Sequence, residues 1–476
     1  MQTKLSRRSF IQTTAAGLGG LSVRNVRGQN VSAKGKPLRV AVVGCGMHGT
    51  HVHIPAACKE QIVAMVDPDQ RRISDAMKRV REVSPATDTA AIRPFADYRK
   101  LFDTMGKELD AVMIATPNHH HALPALLAIR NGIPVYVEKP LTHTVAETRL
   151  LTEEARRLGV VTQMGNQGQS SEGSRLLCEY VAAGAIGQVR EVYCWSNRAN
   201  GLPADTVLPP ALPVPKEFDW DLWIGPAPYR DYHKNLHPHT WHSWRDFGNG
   251  SLGNMACHIM NHAYWALKLG SPSAVEVEEV AGGNELCWPV GTRIRWDFPA
   301  RGDMAPVKVY WYDGLAQGKP FNEKTVEPRW KHVEDSSRNF PPLRAELKKK
   351  YDRELPDEGS LLVGDKGLIT IDKHGEGFRM IPEEAHRAFP KPTKTLPRVT
   401  GTHQADFFRA CRGGAPACSN FDHAGPLAEI ALLGNVAICA GLGRRIEWDG
   451  PSMRCANLPE LGQYLKMDYR AGWDLL

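Results

Sequence analysis

Residues 38–67 run LRVAVVGCGMHGTHVHIPAACKEQIVAMVD. The apolar run Val40–Val43 predicts a strand, the glycines at 44, 46 and 49 a tight turn into a helix, and Ile62–Val66 a second strand closed by Asp67. Each position answers a physical demand. Gly44 permits the turn, Gly46 lets backbone approach a pyrophosphate, and Gly49 lets helix pack close on strand. Met47 and His48 open the helix, where free N–H groups and the positive dipole end attract phosphate. Asp67 is placed to accept from the adenosine ribose hydroxyls. The bland alternative is a glycine-rich turn in an unrelated α/β protein. The strand, the helix and an acid about 20 residues on weigh against it. A carboxylate repels a 2′-phosphate, so NAD is expected; Arg71 and Arg72 follow closely and leave NADP open.

Outward from this stretch, AVMIATP (111–117), PVYVEKP (134–140) and VVTQMGNQ (160–167) are short β-branched runs between helical patterns. They predict βαβ units and a doubly wound parallel sheet, a Rossmann domain, over 36–165. From 189 the runs alternate more strictly: 189–197, 275–282, 292–298, 307–313 and 361–372, with a last strand at 444–450. That alternation predicts an open, mostly antiparallel sheet with one apolar face, covered by helices near 169–183, 251–269, 401–412 and 425–441. The fold class is α/β with a C-terminal α+β domain over 166–455 and a tail over 456–476. Residues 315–358, charged and proline-bearing with Lys348–Lys350, are expected to form a surface insertion.

Residues 1–35 are expected to be a leader and linker. Arg7 and Arg8 precede a short, mildly apolar stretch, the pattern of twin-arginine export. That stretch is too short for a membrane span. The same segment supplies six cations and no acid out of a formal +7, so the remainder is near neutral and nucleic acid is not an expected partner. Free nicotinamide nucleotides are scarce outside the cytoplasm, so export to the periplasm implies a cofactor held tightly and regenerated within the cycle. The ten cysteines form no CxxC, and folding before export leaves them as thiols; Cys411 and Cys418, flanking Gly413-Gly414, are the one pair considered for a bridge.

Three polar segments follow predicted strands, where open α/β sheets bind ligands: Thr116-Pro117-Asn118-His119-His120-His121, Glu138-Lys139-Pro140 and Gly165-Asn166-Gln167. Lys139 there would donate to a substrate oxygen and stabilise a developing alkoxide; a solvated surface lysine is its ordinary alternative. Three consecutive histidines on an extended chain cannot all converge on a metal. Further on, HPHTWHSWRDFGNGSLGNMACHIMNHAYWALKLG (237–270) places Asn254, His258 and His262 at i, i+4 and i+8. His258 is the candidate acid or base. Trp241 and Trp244 offer flat faces to a sugar ring and Arg245 a hydroxyl donor. Core histidines with structural hydrogen bonds are the competing reading, above all for His262. A zinc site built on His258 and His262 lacks the glutamate of HExxH, so no metal is expected.

Together, the GxGxxG, ATPNHHHA, VEKPLTHT, GNQ and GSLGNMACHIMNHAYWAL resemble the Gfo/Idh/MocA oxidoreductases over about 38–450. The resemblance implies NAD(P), a sugar, cyclitol or related polyol substrate, and self-association through the exposed sheet face. It assigns the catalytic lysine to Lys139 and the catalytic histidine to His258. It puts His119 and His121 near the nicotinamide. One departure matters: the family commonly has Asp where this chain has Asn254, and Asn261 likewise stands at an acidic position. An amide orients the imidazole but brings no charge, so His258 should be a weaker base.

The leading expectation is an exported oxidoreductase acting by hydride transfer with a recycled cofactor. A redox-neutral glycosidase or lyase working through a transient keto-sugar is the alternative, and a non-catalytic sugar-binding protein the third.

Overall fold

The computed structural model describes residues 35–328 and 331–474. Residues 1–34 of the expected leader, with its paired arginines, lie outside them. Strands β1 (Arg39–Val43), β2 (Gln61–Val66), β3 (Arg93–Phe95), β4 (Ala111–Ile114), β5 (Val135–Val137) and β6 (Thr162–Met164) form one sheet in the order 3-2-1-4-5-6. Every pairing in it is parallel. β1, β4 and β5 are buried on both faces, as their unbroken apolar runs require. The helices between them start on side-chain caps: Asp69 before Gln70–Val83, Asp97 before Tyr98–Met105, and a Thr144/Glu147 capping box before Val145–Leu158.

The second sheet holds β7 (Val189–Ser196), β8 (Ala274–Ala281), β9 (Gly291–Phe298), β10 (Val307–Gly314), β11 (Gly359–Gly364), β12 (Leu368–Asp372), β13 (Arg379–Ile381), β14 (Ile446–Asp449) and β15 (Arg454–Cys455). Their order is 13-12-11-7-10-9-8-14-15, antiparallel throughout except for β7 beside β10. The alternation sorts the faces. Val192, Cys194, Ile294, Trp296, Val309 and Trp311 point into the core under the helices. Tyr193, Arg293, Arg295 and Tyr310 point outward, where Arg295 pairs with Glu276 and Glu278.

Residues 315–358 do more than cover surface. Leu347 and Leu355 pack with Trp195, Tyr312 and Leu361, and the Arg344 guanidinium lies 4.8 Å over the Trp195 ring. The segment therefore roofs part of the outward sheet face. Helix Phe421–Ala440 is long and apolar enough to cross a membrane, yet it is a core helix. It packs on Val145–Leu158, where a Cβ on Gly425 would stand 2.2 Å from Thr152 Oγ1. Cys411 and Cys418 are both free thiols.

The long connection after β7 returns over the first domain. Asp219 N–H donates to Pro68 O at 2.9 Å and Gln70 N–H to Glu217 O at 2.9 Å. That return places residues 237–243 across the carboxyl ends of the parallel strands.

Candidate active site

A single cleft of about 1140 Å³ runs along those strand ends. At one end lies the glycine turn. Gly44 has φ +90°, and a Cβ there would sit 2.6 Å from the Ala115 carbonyl. A Cβ on Gly49 would sit 1.9 Å from Gly44 O, so only glycine lets the helix pack this close. Gly46 faces open space, with nothing within 4 Å of a Cβ. Asp67 Oδ2 accepts from Cys45 N at 2.8 Å and Oδ1 from Asp69 N at 2.9 Å; burial pushes its carboxyl up to about 6.

At the other end lies Lys139. Its Nζ donates to the backbone oxygen and to Oδ1 of Asn254. Asn254 Nδ2 in turn donates to Asn200 Oδ1 at 3.1 Å. Burial is the main cause that pushes the lysine down to about 8. His258 and His374 face each other with ring centroids 5.5 Å apart. Burial, then the Lys139 charge, hold His258 well below the usual imidazole range, so it is neutral. Arg198 is fixed by Glu358, whose Oε1 also accepts from Ser196 Oγ at 2.7 Å. Lys373 completes that cluster from the other side.

Between the two ends, Glu138 Oε1 meets His53 Nε2 at 2.9 Å and His48 Nε2 at 3.2 Å. Burial raises the Glu138 carboxyl, but the two histidines outweigh it and hold it well below the usual range. Gly165 is glycine because a Cβ would stand 2.4 Å from Glu138 Oε2.

The cleft wall carries buried polar atoms with no partner in the protein: Thr116 Oγ1, Asn118 Oδ1, Glu138 Oε2, His242 Nδ1 and His258 Nδ1. Such atoms cost free energy unless a ligand satisfies them. With the open face of Gly46 and the carboxylate of Asp67, they fit a dinucleotide and a polyhydroxylated substrate. Among the described residues, no group of three or more His, Cys, Asp or Glu is arranged to hold a metal.

Residues 38–166 match the oxidoreductase family GFO_IDH_MocA, an NAD-binding Rossmann fold, and residues 193–289 match the family's C-terminal alpha/beta domain. Inositol 2-dehydrogenase 4 of Saccharopolyspora erythraea is 29% identical over 197 residues, 40% of this chain and 54% of that protein. D-glucoside 3-dehydrogenase of Escherichia coli is 26% identical over 167 residues, 35% of this chain and 45% of that protein. The chain thus spans about half the length of the curated relatives it matches. The solved aldose-aldose oxidoreductase of Caulobacter crescentus shares the fold, with TM-score 0.53 at 17% identity over 87% of this chain and 100% of that one.

Of the residues that the Gfo/Idh/MocA resemblance and the sequence pattern single out, the structure brings Gly44, Gly46, Met47, His48, Asp67, Thr116, Pro117, Asn118, His121, Glu138, Lys139, Trp241, Asn254 and His258 to this cleft. Five lie elsewhere. Asn166 is fully buried, with Nδ2 donating to Asn261 Oδ1. His119 is buried with its ring nitrogens against Phe247 O and Trp223 O. Trp244 belongs to an aromatic core and donates to Asn235 O at 3.0 Å. Arg245 stacks 4.9 Å over Trp288 and donates to Cys287 O. His262 bonds Ser174 Oγ and Lys373 O instead of facing the cleft. The i, i+4, i+8 spacing drifts by about 80° over two steps of an α-helix, and residues Leu252–Ala256 are wound as a π-helix besides. Arg198, Asn200 and His374 line the cleft without having been singled out. The first two follow β7 directly, so the strand-end rule applied to the second sheet would have found them; the turn holding His374 carries no such signal.

Proposed function

We propose that this chain is an NAD-dependent oxidoreductase acting on a hydroxyl carbon of a sugar, cyclitol or related polyol. The carrying observation is the continuity of one cleft from Gly46 and Asp67 to Lys139, His258 and Asn200. Bound NAD supplies the hydride acceptor. Lys139, down to about 8, is about one-tenth neutral at pH 7, far more than an ordinary lysine, and is our candidate for taking the hydroxyl proton. Asn254 fixes its ammonium through two oxygens without adding charge. His258, neutral with a free Nδ1, orients the same hydroxyl. Asn200 and Arg198 bind neighbouring hydroxyls, and Trp241 offers a flat apolar face to ring C–H groups. The names of the relatives, an inositol and a glucoside dehydrogenase, support this substrate class.

A second reading is redox-neutral cleavage of a glycoside through a transient keto-sugar. It is favoured by Lys139, whose fall to about 8 makes its neutral form accessible as a base for a C–H proton made acidic by the ketone. The paired arginines at 7 and 8 support export, which makes a retained cofactor part of either reading.

The test is to purify the protein without added nucleotide, denature it and identify released molecules by mass spectrometry. Assays at 340 nm with free sugars and with aryl glycosides follow. Bound NAD(H) and NADH formation support the oxidoreductase; aglycone release without net NADH supports the second reading; failure to bind NAD sinks both.

A further inference from the structure

The tail beyond β15 returns to the first domain and ends against the cleft. Three contacts bring it there. Tyr469 OH donates to Glu147 Oε1. The Arg470 guanidinium donates to Gly225 O at 3.0 Å and to Asp221 O at 2.9 Å. Gly472 O accepts from Arg99 Nη1 at 3.0 Å. Arg99 is itself clamped by Asp97, and its guanidinium covers one face of the Trp473 indole at 3.8 Å. Tyr98 and His120 meet the same ring edge-on, at 6.1 and 5.7 Å between centroids. Trp473 is buried, yet it lines the cleft.

The strand order fixes which end of the cleft this is. Asp67 follows β2, and Ala96–Tyr98 follow β3, the next strand outward. Lys139 follows β5, on the opposite side of β1. Trp473 meets Tyr98, which follows β3, and His120, which follows β4, so it borders the cleft between those strand ends and not at β5, where Lys139 lies. In a dinucleotide fold whose acid after β2 binds the adenosine ribose, the β3 side is the adenine end. A large flat apolar ring suits the face or edge of a purine.

We propose that Trp473 forms a wall of the adenine pocket and that residues 466–474 act as a strap retaining the cofactor. The proposal rests on the dinucleotide reading of residues 38–166. It gives the tail a task that the chemistry around Lys139 does not: slowing nucleotide release.

The test uses full-length protein as wild type, Trp473→Ala and Arg470→Ala, with NADH and NADPH as probes. Stopped-flow fluorescence gives the dissociation rate, and thermal melting gives the gain in Tm produced by the nucleotide. Loss of one base–aromatic contact should speed release about tenfold in W473A. R470A, which loosens the strap while keeping the indole, should show a smaller increase. The nucleotide-induced gain in Tm should shrink in both. Unchanged release from folded W473A overturns the strap, even where its apo Tm falls, because the tail would then be structural only. If W473A does not fold, R470A decides: release at the wild-type rate overturns the proposal. Wild type that binds neither nucleotide overturns the dinucleotide reading itself.

Discussion

Lys139 Nζ sits 2.8 Å from both the backbone oxygen and the side-chain Oδ1 of Asn254, so the ammonium is held by two neutral acceptors. A carboxylate at 254 would change its charge state. Asn254→Asp should favour the protonated lysine and raise its pKa by about 1–2 units. A base with a higher pKa needs a higher pH to act. The acid limb of the kcat/KM profile should therefore move upward in N254D, read from rates across the alkaline and neutral range. An unmoved limb would remove Lys139 from the role of base.

Lys139→Met keeps the stem and removes the proton acceptor. Nucleotide binding, followed by NADH fluorescence, should survive while kcat falls about a thousandfold.

Gly49 tolerates no side chain, since a Cβ would collide with Gly44 O. Gly49→Ala should cost about 2–3 kcal/mol in urea denaturation, the range of overpacked interiors, and abolish the stabilisation given by NAD. Equal loss with and without NAD would separate the helix contact from the nucleotide site.

Glu358 is buried between Arg198 and Lys373. Glu358→Ala leaves two cations without their partner and should cost about 3 kcal/mol. It should also raise KM, because Arg198 loses its fixed position on the cleft wall.

The His48–Glu138 contact ties stability to pH. The Glu138 charge raises His48 above its ordinary value, so its contribution is complete below about pH 6.5 and fades as pH rises through the folded value. Glu138 is depressed, so its contribution is complete above about pH 4.3 and fades as pH falls. The pair should be most stabilising between these limits. Denaturant midpoints measured across pH should lose the upper fall in His48→Gln and keep the lower one.

What the sequence made legible follows from how local each demand is. The three glycines of 44–49 and Asp67 act within one turn and two strands, and their spacing alone carries their geometry. The strict alternation of 292–298 and 307–313 likewise sorts core from outward faces. Trp244 and Arg245 were less readable, because an aromatic or cation in an irregular segment has no period to say whether it faces a cleft or a core. His262 was lost to helical drift and π winding. The roof formed by 340–357 depends on contacts with Trp195 and Tyr312, far away in the chain, that no local pattern announces.

The placement of β7 has a consequence for synthesis. This strand sits between β10 and β11, so both its neighbours lie beyond residue 306. As the chain leaves the ribosome, the apolar edge-seeking segment Val189–Ser196 must wait, unpaired, until β10 is complete at Gly314, well over a hundred residues on. The first domain, with every strand before residue 165, can close meanwhile. A nascent chain of this topology carries an unmated strand for a long interval, and a holding chaperone that masks it would decide the yield of soluble protein.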